Sequence, residues 1–272
     1  MVPLFLRKKS DIYGILFLCM RKNILTLIVL IIAVSSVFLI KGIIFNKEIT
    51  GAPPYGEPES DAPEFGSYEW MLNWKRPDGP PKVALQVGHW KSSDVPDEQK
   101  RLRDNTGSSG GGMWEWEVNL AIAQETKKIL EKQQIEVEIL PATVPPSYWA
   151  DVFLAIHADG SEDLSKRGYK VADPWRDYTD NAVHLVTALE NAYEDATGYE
   201  KDSNITRNMR GYYAFSWWRY EHAIHPMTTA AIIETGFLTN KLDQKVLVNS
   251  PEIAAEGIAQ GILNYLGRKG LL

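Results

Sequence analysis

The chain has 272 residues, 44% apolar and 24% charged, with a single cysteine, Cys19. Most of that length can bury a core, whereas one cysteine excludes an intrachain disulfide and a cysteine-based zinc cluster, so any metal must be held by His, Asp or Glu. Charge is uneven: residues 1–45 hold six Lys/Arg and one Asp, net +5, and the remainder is 23 minus 34, or −11, which argues against a nucleic-acid partner.

The first element in chain order is apolar. Ile24 to Ile40, ILTLIVLIIAVSSVFLI, is 17 uncharged residues. With Lys41–Phe45 behind it, the run approaches the roughly 20 residues that span a bilayer. Arg7, Lys8, Lys9, Arg21 and Lys22 precede it and place the N-terminus in the cytoplasm. No small-x-small site follows directly, so the expectation is an uncleaved transmembrane anchor over 1–45, with a cleaved signal peptide as the alternative. Residues 46–81 are rich in Pro, Gly and acidic residues and predict a flexible linker, with a folded domain over 82–272.

Within that domain short apolar strands alternate with helices. Strands are expected at KVALQV (82–87), IEVEIL (135–140), DVFLAI (151–156), GYKVA (168–172) and AAIIE (230–234). A helix over EVNLAIAQETKKILEK would bury Val118, Ala121, Ile122 and Ile129. A second starts near Asp180 and stops at Gly198. A third opens with Ser250 as N-cap and Pro251 at N1, burying Ile258, Ile262, Tyr265 and Leu266. This alternation predicts an α/β domain with a largely parallel twisted sheet flanked by helices.

Three polar residues stand at predicted strand ends: His89 after KVALQV, His157 after DVFLAI and Glu234 after AAII. Open α/β sheets form their sites beyond the carboxyl ends of the strands. Glu115 lies three residues before Val118 and seven before Ile122, on the sheet-facing side of its helix, whereas Glu117 is off that stripe. Two histidines and a glutamate with an open fourth position make a catalytic zinc pattern. An ion there lowers the pKa of water to around 7 and polarises a carbonyl, and Glu234 would move the proton to a leaving amine.

The blocks VALQVGHW, EWEVNLAIA, DVFLAIHADG, GYKV, AAIIETGFLTN and IAAEGIAQGILNYL resemble, in order, those of the zinc-dependent N-acetylmuramoyl-L-alanine amidases of the amidase-3 type. The likeness covers about Lys82 to Leu266, and IHAD and ETGFLTN are its specific parts. It implies zinc on His89, Glu115 and His157, a catalytic Glu234, and hydrolysis of the amide between N-acetylmuramic acid and the first L-alanine of peptidoglycan, outside the cytoplasmic membrane of a bacterium. Two departures stand out. The family's D-P-G-H-G is here Gln86-Val87-Gly88-His89-Trp90, and the connection PATVPPSYWA is short. A zinc peptidase cutting within the stem peptide and a non-catalytic peptidoglycan-binding domain are the alternatives.

Other features are expected to be secondary. GSSGGGM (107–113) lacks the lysine and preceding strand of a phosphate loop and predicts a mobile loop into Glu115. His222 and His225 lack a strand-end setting for a second metal pair, and His184 is a packing residue. Trp90, Trp114 and Trp116 are expected to flank the site. Arg207 and Arg210 belong to a solvated loop, with a stem-peptide carboxylate as the alternative partner.

Overall fold

A computed structural model describes residues 63–272. The expected anchor and Cys19, and the linker up to residue 62, lie outside the described residues. Among the described residues no helix is long and apolar enough to cross a membrane.

The sheet contains β1 (Lys82–Val87), β4 (Glu136–Leu140), β5 (Val152–Asp159), β6 (Lys170–Ala172) and β7 (Thr229–Phe237); the two-residue strands β2 (Ser109–Gly110) and β3 (Met113–Trp114) form a separate hairpin. The order is β4-β1-β5-β7-β6. The first four strands run parallel, and only β6 is antiparallel, on β7. β1, β5 and β7 are almost continuously apolar because both of their faces are covered.

The period of two splits their side chains between two cores. Val83, Leu85, Leu154, Ile156, Ala231 and Ile233 join the helical core. That core takes residues from α2 (Glu115–Glu131), α3 (Ala182–Thr197) and α4 (Pro251–Arg268). Ala84, Phe153, Ala155 and Ile232 face the other way, onto Leu140 at the end of β4 and Val144, Tyr148, Phe215 and Ile224 from the connections. Gln86 shares this second side, an exception among apolar neighbours.

Several expectations are corrected. The compact unit begins before Lys82. Helix α1 (Tyr68–Asn73) is capped by Ser67, and Phe65, Trp70 and Trp74 surround His225 with ring centroids 5.2–5.8 Å away. Arg76 grips the nearly buried Asp151 at 2.6 and 2.8 Å. Proline and acidic content suggested a tether here, but aromatic anchors decide the packing.

β7 runs past Glu234 to Phe237. His157 pairs with Glu234 but Asp159 with Phe237, so β7 bulges at Thr235-Gly236, beyond the expected strand end at Glu234. β5 likewise continues through His157 to Asp159. On α2 the buried stripe is Glu115, Val118, Asn119, Ile122, Ala123, Thr126 and Leu130, leaving Ala121 and Ile129 only partly covered. Ser250 precedes α4 with Pro251 at N1, yet its hydroxyl makes no cap bond. α3 ends at Gly198 in the left-handed region, as Gly198's position predicts. GSSGGGM folds as the β2–β3 hairpin.

Candidate active site

His89 lies just beyond β1, where Gly88 N–H still bonds the Ile156 carbonyl at 3.0 Å. Its φ of 64° falls in the left-handed region, uncommon for a residue with a side chain and often found at functional sites. Nδ1 is 3.0 Å from the Asn105 carbonyl. A carbonyl only accepts, so Nδ1 carries the proton and Nε2 is the free nitrogen. Nε2 stands 3.5 Å from Glu115 Oε1.

Glu115 is the first residue of α2 and is buried. Its backbone N–H bonds the Ser108 carbonyl at 2.9 Å, and Ser108 N–H returns a bond to Oε2 at 2.7 Å. Oε1 accepts from Ala158 N–H at 3.2 Å and from Asn119 at 3.4 Å, and lies 3.0 Å from His157 Nδ1. Glu117, two positions on, instead turns back to accept from Trp114 N–H at 2.8 Å. One glutamate thus closes the helix end and the other enters the site.

Two glycines make room for this cluster. A Cβ on Gly88 would lie 2.4 Å from His157 Cε1, and one on Gly107, whose φ is 76°, would lie 2.2 Å from Glu115 Oε2. Neither position admits a side chain while His157 and Glu115 stay in place.

One ligand atom from each of His89, Glu115 and His157 lies within 4.8 Å of the others. Bonds of 2.0–2.1 Å about a tetrahedral centre give ligand edges of about 3.3–3.4 Å. The observed separations of 3.0 and 3.5 Å bracket that value. Two imidazoles and one carboxylate, open toward solvent on one side, are therefore a donor set that fits zinc.

The charges of these three residues hold one another. Burial alone would raise the Glu115 carboxyl, but the hydrogen bond from His157, its charge and that of His89 bring it below the usual carboxylate range. Burial works against the His157 imidazolium, but the Glu115 hydrogen bond and charge raise it. His89 is lowered, chiefly by burial.

Glu234 is half-buried in β7, opposite His157 on one side and Lys170 on the other. Burial pushes its carboxyl up to about 8, against the pull of His157; the charges of Glu115 and Asp159 push the same way as burial. It stands outside the three-residue cluster. Two arms of a cleft meet at His89, His157, Asp159 and Glu234. The deeper arm, of about 780 Å³, is lined by Gln99, Arg101, Tyr212, Tyr213, Arg219 and Tyr220. The shallower arm carries Ser108, Ser109, Ser161 and Thr239.

The profile of the N-acetylmuramoyl-L-alanine amidases matches residues 83–264. The chain belongs to this family. No curated protein sequence matches the chain. Among solved structures, an N-acetylmuramyl-L-alanine amidase from Mycobacterium abscessus is similar, with TM-score 0.51 and 19% identity over 68% of this chain and 98% of that one. One from Clostridium difficile is similar at TM-score 0.50 and 20% identity, over 71% of this chain and 100% of that one. These likenesses show the fold, an α/β domain with a mostly parallel sheet; the family makes the chain a peptidoglycan amide hydrolase.

The amidase cleft is walled differently from the sequence expectation. Trp90 packs on the helical core and Trp114 is exposed, and no tryptophan lines either arm; tyrosines do. Arg210 pairs with Asp173 at 2.7 Å and lies over Trp175, and neither it nor Arg207 lines the cleft. His222 is bound to Glu98 at 2.9 Å, and His225 sits in the aromatic group described above. Sequence reasoning missed Gln86, Tyr212 and Lys170. Lys170 is buried, ion-paired with Asp159 and 3.4 Å from Asp202. The signal for it was a lone lysine in the otherwise apolar GYKVA.

Proposed function

We propose that this amidase works with zinc held by His89, Glu115 and His157, and that Glu234 transfers the proton in hydrolysis of the N-acetylmuramoyl-L-alanine bond. The observation that carries this reading is the pairing of a compact three-ligand cluster with a carboxylate that faces the same cleft but stands outside the cluster. Zinc bound there would polarise the amide carbonyl and acidify water.

The chain's own groups supply the remainder. Water adds to the carbonyl carbon, and its proton passes to a carboxylate oxygen of Glu234. The carbon–nitrogen bond then breaks as Glu234 returns that proton to the alanine nitrogen, leaving a carboxylic acid and a free amine; the acid's proton then passes to the amine, giving carboxylate and ammonium. Bound cationic charge favours the ionised form of Glu234, which burial alone disfavours. Lys170, its cross-strand neighbour, acts in the same sense.

Glu234→Gln keeps the shape and removes the basic oxygen. Zinc content and thermal stability are expected to stay near wild type, with activity down by roughly 10²–10⁴-fold. Loss of zinc in parallel with activity would make Glu234 a ligand instead, and retained activity would remove it from the chemistry.

We further propose that residues 1–45 anchor the chain and that the amidase domain is exported. The support is the apolar run Ile24–Ile40 behind five basic residues. Protease added to intact spheroplasts should digest the domain; full protection would overturn this.

A further inference from the structure

Gln86 replaces the aspartate of the family's D-P-G-H-G block, and its side chain is completely buried on β1. Its amide nitrogen lies 3.3 Å from the carbonyl oxygens of Pro141 and Ala142, and 3.5 Å from that of Val87. Three acceptors around one end of the amide determine which end is nitrogen. A carboxylate in that position would face the same three carbonyls with no donor to offer, so this pocket selects an amide.

The other end, Oε1, accepts from the Tyr212 hydroxyl at 3.0 Å. The same hydroxyl oxygen is 3.3 Å from His157 Nε2. With its single proton committed to Gln86, that oxygen can only accept from the ring. Nε2 therefore carries a proton, and Nδ1, whose own proton is shared with the Glu115 carboxylate, is the nitrogen that would exchange it for a metal. Nδ1 is also the atom turned to Glu115, 3.0 Å away. The Tyr212 ring meets the imidazole edge-on, at 82° and 5.5 Å between centroids, which restrains the ring plane as well.

We propose that Gln86 and Tyr212 are positioning residues that hold His157 in its Nε2–H form and present Nδ1 to the metal. The proposal rests on the zinc reading above. Outer hydrogen bonds of this kind orient histidine ligands, and their loss typically costs about 10–100-fold in metal affinity. Tyr265 supplies the comparison. It is buried, its hydroxyl bonds Thr229 Oγ1 at 3.0 Å at the start of β7, and it lines neither arm of the cleft.

The test uses the full-length protein and zinc itself. Zinc affinity is measured by competition with a chromophoric chelator for wild type, Tyr212→Phe and Tyr265→Phe, beside the thermal midpoint of each metal-free protein. Nitrogen-resolved histidine NMR of the zinc-loaded wild type reads which ring nitrogen holds the proton. The expected result is an Nε2-protonated His157 and a zinc affinity about 10–100-fold weaker in Tyr212→Phe. Tyr265→Phe should match wild type in affinity even where its metal-free midpoint falls. Affinity of Tyr212→Phe within twofold of wild type, equal losses in both variants, or a proton on Nδ1 would each overturn the proposal. A wild type that binds no zinc would overturn the zinc reading itself, a result separable from the other three.

Discussion

Gly88→Ala is expected to dismantle the proposed metal centre through one methyl group. The new Cβ would lie 2.4 Å from His157 Cε1, 2.5 Å from Nδ1 and 2.6 Å from Nε2. Carbon atoms rest at about 3.5–4.0 Å, so the imidazole must retreat by about 1 Å. Metal–ligand distances tolerate about 0.2 Å, roughly a fifth of that displacement. His157 has little room to yield, because Tyr212 stands at one nitrogen and Glu115 at the other. The predicted result is a fall in zinc affinity of at least about 10²-fold and a similar loss of turnover, the scale set by a 1 Å misplacement. Overpacking should also cost about 1–3 kcal/mol of stability. Zinc titration, muropeptide turnover and thermal unfolding on one preparation separate these effects. A variant that folds, binds zinc with wild-type affinity and turns over normally would refute the steric reasoning.

Arg76→Ala tests where the domain begins. It leaves the Asp151 carboxylate, 6% exposed, with the Lys82 N–H as its remaining donor, and the expected loss is about 2–3 kcal/mol by denaturant titration; a change near zero would return residues before Lys82 to the role of a tether. His225 tests a pH dependence. Burial pushes it down to about 4, and its Nδ1 accepts from Met227 N–H at 3.1 Å, a bond that needs the neutral ring. The fold thus favours neutral His225, so its contribution is present above the free imidazole pKa of about 6.5 and is lost as pH falls toward 4. The unfolding midpoint of His225→Gln should fall less than that of wild type over this window, and parallel pH curves would contradict the assignment.

Much of the fold was legible because strand and helix periods are clean in this sequence. KVALQV and AAIIE read as buried strands from their continuous apolar runs, and Gly198 and Pro251 marked helix ends through backbone chemistry. His89, Glu115 and His157 were legible as a group since each sits at a fixed offset from an apolar run. Bulges and aromatic anchors were not. The register shift after His157 depends on how β7 meets β5, which no single segment encodes. Phe65, Trp70 and Trp74 lie in a proline-rich, acidic stretch whose composition resembles a linker, and only their meeting with His225 shows otherwise. Tyr212 and Gln86 are 126 positions apart in the chain, and a buried glutamine in an apolar strand was the sole hint that a polar partner existed.

The most direct test of the proposed zinc dependence and cleavage site is digestion of purified peptidoglycan with and without a chelator, the products being identified by mass. The predicted result is release of intact stem peptides with a free N-terminal alanine, abolished by the chelator and restored by added zinc. Products cut within the stem, undiminished release in the chelator, or binding without any release would contradict it.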